Sequence, residues 1–268
     1  MTRMEQLDYL NRALLEEMPQ YREQAETFPP DDASQRRLLR SLMNLRPPMP
    51  LGPGFLAVQD ALLCAEREEK GVIDADALPA IPEDLRLVLW QGDITQLKVD
   101  AIVDADNSSL LGCFAPCHGC IDNAIHSAAG LQLRDECARI MRKQGRPEPA
   151  GRAKLTGAYA LPARYVLHTV GPIVRDRVTW KERRELASCY RSCLELAAEH
   201  GLRSVAFCCI STGEFHFPHQ EAAQIAVKTV KAFLDQQATS IERVIFNVFK
   251  DLDAAIYRDL LRSGGTMA

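Results

Sequence analysis

Leu7, Leu10, Leu14 and Met18 recur at the spacing of one helical face, and a second such face runs through DDASQRRLLRSLMNL, which follows the Pro29-Pro30 break with Asp and Ser available as caps. RPPMPLGP closes that segment, and GFLAVQDALLCAEREEK predicts a third helix stopped at Gly71. Three helices joined by proline-rich turns therefore fill roughly the first 75 residues. From residue 85 the pattern changes, and LRLVLW and VDAIVDA read as strands, followed by a long helical pattern from Ile121 to Lys143. RYVLHTV, SVAFCCI and ERVIFNVF predict further strands; KERRELASCYRSCLELAAEHG, HQEAAQIAVKTVKAFLDQ and DAAIYRDLLRS predict helices between and after them. Alternating strands and helices with short connections describe an α/β sandwich with a largely parallel sheet, whose ligands bind at the carboxyl ends of its strands. The division expected is an N-terminal helical extension over 1–80 and an α/β domain over 81–268.

A chain of 268 residues with 47% hydrophobic and 25% charged positions can bury a proper core without disulfide staples. A net charge of -4 and a pI near 5.9 give no global reason to expect a nucleic-acid or membrane surface, so any polyanionic ligand must be met locally. The N-terminus, MTRMEQLDYLNRALLEEMPQ, lacks the basic start and continuous apolar run of a signal peptide, and no segment reaches the apolar length of a membrane span. Nine cysteines, several in apolar runs such as VAFCCIS, point to a reducing cytoplasm, where clustered thiols mean metal or catalysis before disulfides.

One cluster stands out. CFAPCHGC places Cys113, Cys117, His118 and Cys120 within eight residues. Thiolate sulfur and imidazole nitrogen are zinc ligands; four would close a structural site, whereas three leave a position open for water or substrate. A C-x-x-C redox pair of Cys117 and Cys120 is the other reading, although such pairs usually open a helix directly after a strand. In STGEF, Ser211, Thr212 and Gly213 lie between a strand and a helix, where successive backbone N–H groups can cradle phosphates. His126, His168, His216 and His219 read as ordinary packing or surface histidines, with His216 set apart only by lying in that loop.

WQGDIT, AIVDADNSSLLG and ISTGEFHFP, in this order, resemble the adenine-side, ribose-side and phosphate loops of macrodomains, which bind ADP-ribose. GCFAPCHGCIDNAIHSAAG, together with the helical extension, resembles more narrowly the zinc-containing macrodomains of microbes, which remove ADP-ribose from proteins. The resemblance implies a three-layer α/β/α sandwich with a mixed, largely parallel sheet. It implies that Asp93 accepts the adenine amine with the Ile94 backbone against the ring, that Ser211, Thr212, Gly213 and Glu214 surround the diphosphate, and that Phe215 stacks on a ribose. One Zn2+ per chain would be held by Cys113, His118 and Cys120, with Cys117 a local extra. Together with Asn107, which suits a ribose hydroxyl near the reacting carbon, those three ligands form the implied catalytic set, the zinc either activating water or polarising the bond.

The sequence departs from the family where NAAN is usual: Asp104-Ala105-Asp106-Asn107 puts two carboxylates near the reacting ribose, to orient water, balance a zinc charge, weaken binding of a diphosphate ligand or turn away into hydrogen bonds. The implied substrate is a mono-ADP-ribosylated protein, a lipoyl-carrier protein modified by a sirtuin-type transferase being a candidate. A non-catalytic reader of ADP-ribose with a structural zinc, or a deacylase of O-acyl-ADP-ribose, would use the same pocket.

Overall fold

The computed structural model describes residues 1–236 and 239–262. The N-terminal apolar stripes form α1 (Arg3–Glu17), α3 (Asp32–Leu45) and α4 (Pro53–Lys70), with one short turn of helix, α2 (Arg22–Ala25), after α1. The sequence supplies their ends. Thr2 and Glu5 make a reciprocal capping box on α1, Asp31 accepts from the Ser34 N–H on α3, and Pro53 occupies the first turn of α4. Their apolar faces meet around Leu7, Leu10, Leu14, Leu39, Leu42 and Leu62 in a core that also takes in Leu131 and Ala160 from the α/β part. Isolated helices of this length are marginal in water, so this burial holds them in place.

Directly after α4, β1 (Ile73–Asp74) pairs in parallel with β3 (Leu97–Lys98), and Ala75 joins the main core. The main sheet has six strands in the order β2 (Leu87–Gln91), β8 (Arg243–Val248), β7 (Ser204–Phe207), β4 (Ala101–Asp106), β6 (Tyr165–Val170) and β5 (Ala153–Gly157). All neighbours are parallel except β5 with β6. The expected mixed, largely parallel sheet is therefore present. Helices α7 (Trp180–Glu199), α8 (His219–Gln236) and α9 (Asp251–Arg262) form one flanking layer. Helices α5 (Ile121–Ala129) and α6 (Leu131–Gln144) cover the other face, and the N-terminal helices back them through α3 and α4. No helix among the described residues is long and apolar enough to cross a membrane.

Three local expectations need correction. The helical pattern from Ile121 to Lys143 is two helices, because Gly130 sits at φ +98 and a Cβ there would fall 2.6 Å from Gln59 Nε2. Gln59, reaching across from α4, instead accepts from the Leu131 N–H at 3.0 Å and starts the second helix. The edge strand β5 was not expected, since AKLTG has neither an apolar run nor clean alternation. Strand β7 ends at Phe207, so Cys208 and Cys209 belong to a cleft-lining loop rather than to the strand. The last residue of the expected closing helix, Ser263, lies outside the described residues.

Candidate functional site

A cleft of about 710 Å³ opens at the carboxyl ends of β2, β4, β7 and β8. Asp93, Ile94, Asn107, Cys113, His118 and Cys120 all border it, and so do Ser211, Thr212, Gly213, Glu214 and Phe215. The parallel sheet thus brings all of these residues to one volume, although they are spread over more than a hundred positions.

The cysteine loop occupies one end. Cys113 Sγ lies 3.7 Å from His118 Nδ1, and ligand atoms of Cys113, His118 and Cys120 all fall within 4.8 Å of one another. Ligands about 2.3 Å (sulfur) and about 2.0 Å (nitrogen) from a tetrahedral zinc stand roughly 3.5–3.8 Å apart, so the donor set fits that ion. Cys120 caps α5, its sulfur accepting from the Asn123 N–H at 3.4 Å, while burial pushes its thiol up to about 12. A cation at the loop would reverse that and hold the thiolate. Across the cleft His118 Nε2 faces Glu214 Oε1 at 3.7 Å.

Cys117 points elsewhere. At φ +53 its backbone turns the side chain toward α3, where Sγ is 3.3 Å from Ser41 Oγ and 3.7 Å from the Arg37 carbonyl. Its N–H donates to Asn44 Oδ1 at 2.9 Å, and Arg40 donates to the His118 carbonyl and to Asn123 Oδ1. The extension helix thereby templates the loop.

At the other wall, Ser211 adopts a left-handed φ of +66, and the N–H groups of Gly213, Glu214 and Phe215 have no partner among the described residues. A run of unpaired amides around a left-handed residue forms a concave anion cradle. Gly171 is required opposite it, because a Cβ there would stand 2.0 Å from Ser211 Oγ. Phe215 is half-buried at the cleft wall, whereas Phe217 is the aromatic that enters the core.

Asp93 caps the turn after β2, accepting from the Thr95 N–H at 2.9 Å and from its hydroxyl, and pairs with Lys70 at the end of α4. Those partners keep its carboxyl below the ordinary range against the opposing effect of burial. Asn107 is pinned at both ends: Nδ2 donates to the Gly112 carbonyl and to Asp122 Oδ2, and Oδ1 accepts from the Ser109 N–H.

Sequence reasoning missed several cleft residues. Phe249, Asn247 and Gly171 line it from strand ends not singled out, Phe249 being 75% exposed. The exposed aromatic in VFK, directly after a buried strand, was the available signal. Of the remaining histidines, expected to be ordinary packing or surface residues, three have acidic neighbours. His126 and His168 sit among Asp104, Asp106 and Asp122, and His219 Nδ1 is 2.6 Å from Asp253 Oδ1.

Residues 103–226 match the family model described as Macro domain. The chain is 48% identical over 263 residues to a protein-ADP-ribose hydrolase of Treponema medium, covering 97% of this chain and 100% of the relative. It is 51% identical over 223 residues to a protein-ADP-ribose hydrolase of Staphylococcus aureus (strain MSSA476), covering 83% of each. Among solved structures, the Trypanosoma brucei macrodomain in complex with ADP-ribose superposes with a TM-score of 0.65 at 31% identity, over 82% of this chain and 94% of that one. The Oceanobacillus iheyensis macrodomain with ADP gives a TM-score of 0.61 at 35% identity, over 68% and 93%.

Proposed function

Because the chain belongs to the macrodomain family of protein-ADP-ribose hydrolases, we propose that it releases ADP-ribose from mono-ADP-ribosylated proteins with the help of one zinc ion held by Cys113, His118 and Cys120. The observation that carries this reading is the shared cleft: a three-donor metal loop at one end, an amide-lined anion cradle at the other, and Asn107 on its floor. Three protein donors leave a coordination position for a reacting group. When bound, the ion supplies a Lewis acid at the distal-ribose end of the cleft.

The residues of the chain do the rest. The free N–H groups of Gly213, Glu214 and Phe215 donate to diphosphate oxygens, and the Phe215 ring covers a ribose face. Asn107, locked by Ser109, Gly112 and Asp122, presents a preset amide edge to a ribose hydroxyl, so no ordering cost falls at the moment of reaction. The proposed carrier is a cytoplasmic protein, with a lipoyl-carrier protein modified by a sirtuin-type transferase as the first one to try.

The deciding measurement is release of ADP-ribose from a mono-ADP-ribosylated carrier, with zinc content followed before and after chelation. Turnover that chelation abolishes and zinc restores is expected. Tight ADP-ribose binding without release would make the protein a reader, and turnover indifferent to chelation would make the zinc structural.

Asp93 is proposed to accept from the adenine amine. An ionised carboxylate offers about four lone-pair sites, and Lys70 and Thr95 occupy three, leaving one free at the cleft. Losing one hydrogen bond to a charged acceptor costs about 1.5–3 kcal/mol, so Asp93→Ala should weaken ADP-ribose binding roughly tenfold to a hundredfold. Calorimetry checks this, with Lys70→Met as the control that breaks the ion pair and keeps the acceptor. An unchanged affinity in Asp93→Ala removes Asp93 from the adenine contact.

A further inference from the structure

At the base of the cleft, which Asp106 also lines, and between the sheet and α5 and α6 lies a second group of ligand-type side chains. Asp104 and Asp106 project from the same face of β4, and parallel pairing sets His168 of β6 directly beside Asp104. His126 reaches the same point from α5. The four residues are 0%, 1%, 0% and 5% exposed respectively. His168 Nδ1 lies 3.1 Å from Asp106 Oδ2 and 3.9 Å from Asp104 Oδ2; His126 Nε2 lies 3.8 Å from Asp104 Oδ2 and 4.0 Å from Asp106 Oδ2.

Half of the polar side-chain atoms of these four residues are unsatisfied. Both carboxylate oxygens of Asp104 and both ring nitrogens of His126 are buried without a hydrogen-bond partner among the described residues, as is Asp122 Oδ1, 3.6 Å from His126 Nε2. Buried polar groups left this way cost their full desolvation penalty, and here they converge on one small volume. Burial is the main influence on both partners, raising Asp106 to about 7 and depressing His168 to about 4. Asp106 and His168 do pair, at 3.1 Å, but His126 stands 3.8–4.0 Å from both carboxylates with neither ring nitrogen partnered, a geometry that neutral hydrogen bonding leaves unexplained.

We propose that Asp104, Asp106, His126 and His168 form a buried binding site for a divalent transition-metal ion, separate from the Cys113, His118, Cys120 loop. Oxygen and nitrogen ligands about 2.0–2.2 Å from a tetrahedral ion stand roughly 3.4 Å apart, so binding would draw the observed 3.8–4.0 Å separations in by about half an ångström. Two carboxylates, two neutral imidazoles and one divalent ion sum to zero charge, which a dry interior tolerates. Thr156 Oγ1 is 2.9 Å from His168 Nε2 and can take the proton on that nitrogen, leaving Nδ1 free to ligate. Such a donor set suits zinc, cobalt, iron or manganese, unlike the thiolate-rich loop above it. The ion would brace the site above: Asp106 Oδ1 accepts from the Asn107 N–H at 2.9 Å, and Asp122 Oδ2 takes the Asn107 side-chain amide. The four residues would then act as positioning residues for Asn107.

The test is metal stoichiometry of the full chain after equilibration with excess zinc and removal of loose metal. Wild type should hold about two ions per chain, and Cys120→Ala and the double variant Asp104→Asn, Asp106→Ala about one each. The double variant carries the residues usual in the family at those positions, so its fold is kept, and circular dichroism verifies that. Cobalt loading separates the sites independently: thiolate-to-cobalt charge transfer should persist in the double variant and vanish in Cys120→Ala, while d–d absorption from an oxygen and nitrogen site remains in Cys120→Ala. A double variant that holds as many ions as wild type overturns the proposal and leaves the cluster as a proton-sharing or hydrated one, whereas a single wild-type ion lost in the double variant and kept in Cys120→Ala would sink the loop reading instead.

Discussion

Cys120→Ala should lose both bound zinc from the cleft loop and at least about a hundredfold of hydrolytic rate, while Cys117→Ala should keep both within about twofold. The asymmetry follows from where the sulfurs point. Cys120 Sγ converges with Cys113 and His118 at the cleft wall, whereas Cys117 Sγ is turned to Ser41 and the Arg37 carbonyl on α3. Removing one donor of three leaves two, too few to outcompete water for a borderline-soft ion, and Cys113→Ala and His118→Ala should behave alike. Burial that pushes the Cys120 thiol up makes the pair cooperative: without the ion the thiol stays protonated, and without the thiolate the ion is not held. Metal analysis and ADP-ribose release for the four single variants, with circular dichroism to confirm folding, decide the matter. Comparable zinc loss in Cys117→Ala and Cys120→Ala would mean a closed four-donor site and overturn the assignment.

Arg134→Met should destabilise the fold by about 3–5 kcal/mol, lowering the melting temperature by roughly 10 °C or more. Arg134 is 3% exposed and donates to four carbonyls, those of Met43, Asn44, Arg46 and Leu111, at 2.8, 2.9, 2.6 and 2.7 Å. Three of these close the C-terminal end of α3, where the helix leaves its last carbonyls without internal partners and carries negative charge. A methionine fills the volume but strands those acceptors in a dry interface, each at about 1–3 kcal/mol before any rewetting. The guanidinium also lies 4.3 Å over the Phe114 ring, so its loss should loosen the cysteine loop and reduce zinc retention as well as stability. Lysine, with one point charge, should recover only part of the loss because it cannot span four acceptors. A melting temperature within a couple of degrees of wild type in Arg134→Met would show that the extension docks by its apolar core alone.

The order of the elements was legible in the chain because its information is local. Periodicity at Leu7, Leu10 and Leu14 reports one helix face, and runs such as VLHTV report a strand buried on both sides. The cysteine loop was legible for the same reason: its donors lie within eight residues. The strand-end loops could be matched to one cleft because a parallel sheet collects the carboxyl ends of its strands on one side. The tertiary structure alone decided the rest. The break at Gly130 depends on Gln59, some seventy positions earlier, and the direction of Cys117 depends on Ser41 and Asn44 of a helix that precedes the domain. Taken singly, His126 and His168 look like ordinary packing residues, and Asp104 and Asp106 like two stray charges. They become one buried cluster only through the register of β4 on β6 and the seating of α5 against the sheet. Local pattern specifies which face of an element is apolar; which polar atoms meet beneath that face is set by register and packing between segments far apart in sequence, which no single stretch encodes.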